Sequence, residues 1–148
     1  MRILITFILI FSLVSCLGKK QKPSAIVGTW ELQTGIIIKG TDTVVTDYTK
    51  GQRLIKIINA DHFSFLRHDL QKGKDSSAVF VAGGGAYTFD GKTYKEYLEF
   101  CIGRSWEGKE FSFQVQIDKD TLIQSGIEKN EEIGIDQEII ETYIRTNK

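Results

Sequence analysis

One proline, two histidines, two cysteines and no net charge stand in a chain of 148 residues. With 19 basic against 19 acidic side chains, there is no positive field of the kind that binds nucleic acid. His62 and His68 lie on one predicted strand, about 20 Å apart at roughly 3.3 Å per residue, so they cannot share a metal ion. No Cys/His cluster supplies other ligands, and Asp118-Lys119-Asp120 lacks the oxygens and closing Glu of a calcium loop, so no metal and no cofactor are expected. No Gly-Lys-Ser/Thr follows Gly83-Gly84-Gly85, which therefore reads as a bulge or sharp bend rather than a phosphate loop. Without a G-x-S-x-G motif or a histidine near a nucleophile, no catalytic residue is assigned. The longest apolar run, Ile3 to Val14, falls short of the roughly 20 residues that a membrane-spanning helix needs.

That run follows Met1-Arg2 and ends in Ser15-Cys16, which is the order of a basic n-region, an apolar h-region and a cleavage site. Leu13-Val14-Ser15-Cys16 resembles the lipobox of bacterial lipoproteins. The resemblance implies a signal peptide over residues 1–15, acylation of Cys16, and a lipid-anchored place in the bacterial cell envelope, at the outer membrane and facing the periplasm. The alternative is a soluble secreted protein that happens to carry Cys16 near its cleavage site. Residues 16–26 are polar and basic and hold the only proline, Pro23, so they read as a flexible tether whose lysines are drawn to anionic headgroups. If Cys16 is acylated, Cys101 has no intramolecular partner, and a buried free thiol is expected there.

What the chain has in quantity is glycine, phenylalanine, tyrosine and β-branched residues, the composition of a strand-rich fold. Residues 27–148 read as one domain of about ten strands. They span Gly28 to Ile38, Thr43 to Tyr48, Arg53 to Ile58, His62 to His68, Ala78 to Ala82, Gly85 to Asp90, Thr93 to Cys101, Phe111 to Asp118, Thr121 to Glu128 and Glu138 to Arg145. The last segment also fits helical spacing but is assigned to a strand. The links are hairpin-sized, with Asp90-Gly91 the strongest turn, so the sheet must be antiparallel. Closing it on itself hides the edges; the fold class predicted is an all-β, antiparallel up-and-down barrel of eight to ten strands, with a sandwich as its rival.

Gly28-Thr29-Trp30-Glu31-Leu32 resembles the G-x-W opening of lipocalins and their bacterial lipocalin-like relatives, and Glu141-Thr142-Tyr143-Ile144-Arg145 is similar to their last strand. His62-Phe63-Ser64-Phe65, the stretch from Gly85 to Glu96, and Gln124-Ser125-Gly126 follow in the same order. The resemblance covers most of Val27 to Arg145 and implies a barrel floor of Gly28, Trp30 and Arg145, with the guanidinium over the indole. Tyr143 departs from it, standing where lipocalins often have Trp.

Alternation assigns the interior. Tyr94, Glu96, Leu98 and Phe100 share one face, as do Phe111, Phe113, Val115 and Ile117; Tyr87 and Phe89 face the core. Phe63 and Phe65 share a face with Arg67, Gln124 with Leu122, and Glu141 with Tyr143. An interior holding Arg67, Glu96, Gln124 and Glu141 is more polar than a core needs, so it is either a satisfied network or a wet pocket. The candidate ligand-binding residues are Phe63, Phe65, Arg67, Tyr87, Tyr94, Glu96, Phe111, Phe113 and Gln124. Two main functions follow: a tethered, non-enzymatic module that binds a small amphipathic molecule, or an envelope protein whose filled barrel docks a protein partner; the weakest reading is a hydrolase or isomerase with Glu96 as base. Glu96 either pairs with an arginine to fix the barrel or contacts the ligand.

Overall fold

The computed structural model describes residues 24–146, and the predicted signal peptide and Cys16 lie outside them. Nine strands follow in chain order: β1 (Gly28–Lys39), β2 (Asp42–Asp47), β3 (Gln52–Ile58), β4 (His62–Asp69), β5 (Phe80–Phe89), β6 (Thr93–Cys101), β7 (Lys109–Asp118), β8 (Thr121–Asn130) and β9 (Ile135–Arg145). All neighbours are antiparallel, in the order β2-β1-β3-β4-β5-β6-β7-β8-β9, and a β1–β9 ladder closes the sheet. The result is an eight-stranded barrel with β2 as an extra strand. β1 serves both: its first residues pair with β3, and after a bulge between Leu32 and Thr34 its outer half pairs with β2.

Two predicted strands, Ala78 to Ala82 and Gly85 to Asp90, are one in the structure, because Gly83-Gly84-Gly85 stays extended inside β5. These glycines permit close approach: a Cβ on Gly85 would collide with the Tyr97 carbonyl oxygen. Gly84 faces Phe100 and Gly85 faces Leu98, which leaves Glu99 as the extra residue of a β6 bulge. One extra residue inverts the alternation beyond it. Phe100, predicted to point inward, is therefore 66 % exposed. Cys101 turns toward the interior instead, half-buried and with a free thiol.

The turn after β5 also differs from expectation: Asp90-Gly91-Lys92 makes the link, and only Gly91 has positive φ. The Asp90 carboxylate accepts hydrogen bonds from the backbone N–H groups of Lys92 and Thr93, which fixes the turn from its first residue.

The core sits at one end of the barrel, where β1 begins and β9 finishes. Ile26, Trp30, Ile58, Phe63, Tyr94, Leu122 and Tyr143 are buried there and plug the end. Ile26, assigned to the tether, is fully buried, and its carbonyl accepts a 2.8 Å hydrogen bond from Trp30 Nε1, so the folded domain starts earlier than predicted. The Arg145 guanidinium lies 4.0 Å from the Trp30 ring centroid and donates to the carbonyls of Val27 and Ala25. It thus lies over the indole while fastening the incoming chain to the floor.

Candidate functional site

Midway along the barrel the interior becomes polar. β3, with both faces largely apolar, places Lys56 on the inner side between Leu54 and Ile58, where it is only 4 % exposed. Its ammonium donates to Glu96 Oε1 at 2.8 Å and to Gln124 Oε1 at 3.0 Å, from β6 and β8 across the barrel. The rings of Tyr143, Tyr94 and Phe63 surround it, with centroids 5.4, 5.6 and 6.0 Å away. Burial pulls the Lys56 ammonium down, but Glu96, Glu141 and Glu128 outweigh it and hold the group above its ordinary value. The lysine is a charged, satisfied member of the barrel wall.

Above this network lies a cavity of about 370 Å³. Lys56, Glu96 and Gln124 border it together with Glu128 and Glu141, while Leu54, Phe65, Phe113 and Ile139 supply apolar wall. Tyr48, Thr46 and Arg67 stand toward the end at which β2 folds over β1. A side pocket of about 200 Å³ shares Phe65, Glu96, Trp106 and Glu128 with it and adds Phe111 and Cys101. Trp106 belongs to a short 3₁₀ turn, Arg104–Trp106, that packs its indole on Phe111 with centroids 5.8 Å apart.

Two carboxyls of the cavity are electrostatically uncomfortable. Burial raises Glu141 above the usual carboxylate range, against the pull of Lys56 and of the Tyr143 hydroxyl, which donates to it at 2.6 Å. Burial also raises Glu128, helped by Glu141 and Glu96 and opposed by the Gln137 amide that donates at 2.9 Å. Tyr143 and Tyr94 are both pushed up, chiefly by burial, with Glu141 acting on the first and Glu96 on the second. The Tyr94 hydroxyl is buried without a hydrogen-bond partner.

Of the nine predicted ligand-binding residues, the structure brings Phe65, Arg67, Glu96, Phe113 and Gln124 to the main cavity and Phe111 to its side pocket. Phe63, Tyr87 and Tyr94 pack together at the plugged end instead, Phe63 edge-on to Tyr94 and Tyr87 tilted against it, and the Tyr87 hydroxyl is taken by the Asn59 carbonyl. The expected arginine partner for Glu96 is replaced by Lys56. Arg67 stays nearer the mouth, where its Nε donates to Gln52 Oε1 at 2.8 Å and its guanidinium stacks on Tyr48 at 5.3 Å. Lys56 and Glu128 were missed, although Glu128 continues the inward period of Leu122 and Gln124. His62 and His68 are both exposed. No protein-family model matches the chain, and a search of curated proteins also finds no match.

Proposed function

We propose that this protein is a membrane-tethered binding module that holds a small amphipathic organic molecule in its barrel and performs no chemistry on it. The observation that carries this reading is the cavity: one barrel end is packed solid, while the middle keeps about 370 Å³ of space lined by apolar walls and a few convergent polar groups. That size is toward the lower end of small-molecule sites, at roughly 300–1,000 Å³, and the mixture of wall types is theirs. A barrel serving only as scaffold for a docked protein would have no use for such a space. The Trp30–Arg145 stack supports reading the fold as lipocalin-like, and Leu13-Val14-Ser15-Cys16 supports a lipid anchor in the cell envelope.

Native mass spectrometry of the protein purified from its own envelope, followed by a broad ligand screen, tests the reading. A copurifying organic molecule or a saturable hit is expected; neither, with a collapsed interior, would favour the protein-docking alternative. Anchoring is tested apart from binding: Cys16→Ser should move the protein from the membrane to the soluble envelope fraction, because three tether lysines bind membranes weakly by themselves. Unchanged membrane association would remove the lipoprotein reading.

A further inference from the structure

Building on the binding reading, we propose that the ligand is an organic cation: an amine whose ammonium sits among Glu96, Glu128 and Glu141, with a hydrogen-bond acceptor beside it for the Gln124 amide. Three carboxylates border the cavity against two cations, the Lys56 ammonium at its base and the Arg67 guanidinium toward its mouth. Lys56 commits two of its donors to Glu96 and Gln124 and is walled off by three aromatic rings. Arg67 is held near the mouth by Gln52 and Tyr48. Each carboxylate has one oxygen engaged by a neighbour, Glu96 by Lys56, Glu128 by Gln137 and Glu141 by Tyr143. Among the described residues, the second oxygens of Glu128 and Glu141 accept no hydrogen bond, while Glu96 also has the buried Tyr94 hydroxyl beside it.

Gln124 supplies an independent sign. It is 2 % exposed, and its Oε1 must face Lys56, because an ammonium offers only donors. The amide nitrogen is thereby turned away, onto the cavity that Gln124 borders, and makes no hydrogen bond among the described residues. A donor that opens onto this space, with two N–H groups and no protein acceptor, marks where a ligand acceptor belongs. An anionic ligand would satisfy that donor but add a fourth negative charge to the carboxylates; an amino alcohol or amino amide meets both demands. Burial of Glu128 and Glu141 above their ordinary range is the strain that a bound cation relieves.

Isothermal titration of the purified full chain with hexylamine, 1-hexanol and hexanoate, equal in chain length and different in head, tests the assignment. Hexylamine should bind at least about tenfold more tightly than either of the others. Glu128→Gln and Glu141→Gln should each weaken the amine by about threefold or more while leaving hexanol unchanged, with circular dichroism confirming the fold. The ranking of probes on the unaltered protein decides the question even if a variant fails to fold. Hexanol or hexanoate binding as tightly as the amine would overturn the cation assignment and leave the binding module standing. Binding of none of the three would overturn both.

Discussion

Replacing Lys56 by methionine should be among the most damaging single changes in the barrel, for electrostatic rather than steric reasons. Methionine keeps nearly the same length and volume, a kind of exchange that by itself usually costs less than about 1.5 kcal/mol. What disappears is the charge that Glu96 faces at 2.8 Å and that Glu141 and Glu128 also feel. Both side chains of the pair are at least nine-tenths buried, so bulk water solvates the stranded carboxylate poorly. Breaking a buried ion pair from one side costs about 3–5 kcal/mol. With a urea slope of about 2 kcal/mol/M, the unfolding midpoint should fall by roughly 2 M. Glu96→Gln should cost less, about 1–3 kcal/mol, because Lys56 keeps Gln124, the remaining carboxylates and three ring faces. The double variant Lys56→Met/Glu96→Gln removes the stranded charge, so the two losses should fall short of additivity by about 1–3 kcal/mol. Urea unfolding of the four proteins measures this cycle. A loss below about 1 kcal/mol for Lys56→Met, or strict additivity in the double variant, would refute the argument that the pair acts as a buried unit.

Trp30→Ala should destabilise the fold by about 3–5 kcal/mol, and its coupling to Arg145→Ala should reach about 0.5–2 kcal/mol, read from denaturant curves; zero coupling would mean that the stack contributes nothing. Gly85→Ala forces a Cβ onto the Tyr97 carbonyl, which is backbone and cannot rotate away, so the loss should reach or exceed the usual overpacking cost of about 1–3 kcal/mol. Wild-type thermal stability in that variant would show that the β6 bulge can open freely. Glu141 has a carboxyl raised in the folded state, so it subtracts stability as pH rises from its unfolded value of 4.5 through the raised one. Glu141→Gln should therefore melt higher than wild type at pH 7, with the difference shrinking as pH falls toward 4, as followed by scanning calorimetry. A pH-independent difference would contradict the assigned cause.

Strand existence and antiparallel pairing are local properties, set by alternation and by links too short for any crossover, and they can be read along the chain. Thr121 to Glu128 shows its inward face in Leu122 and Gln124, and Phe111, Phe113 and Val115 do the same on β7. The Trp30–Arg145 contact was legible only through resemblance, since more than a hundred residues separate the two and no local rule pairs them. Other features depend on register between strands. A single bulged residue, Glu99, turned Phe100 outward and Cys101 inward, and nothing in the β6 sequence alone announces it. Lys56 could not be assigned from β3, where Ile55 and Ile57 make the opposite face equally apolar; its side follows from where the barrel closes. The choice of Lys56 over Arg67 as partner for Glu96 is likewise tertiary. Both cations come from neighbouring strands, but only Lys56 sits at the level where β6 and β8 present Glu96 and Gln124. Alternation tells which face a side chain takes, whereas its height in the barrel, and so the partner it meets and the space left beside it, is decided by how eight strands are staggered against one another.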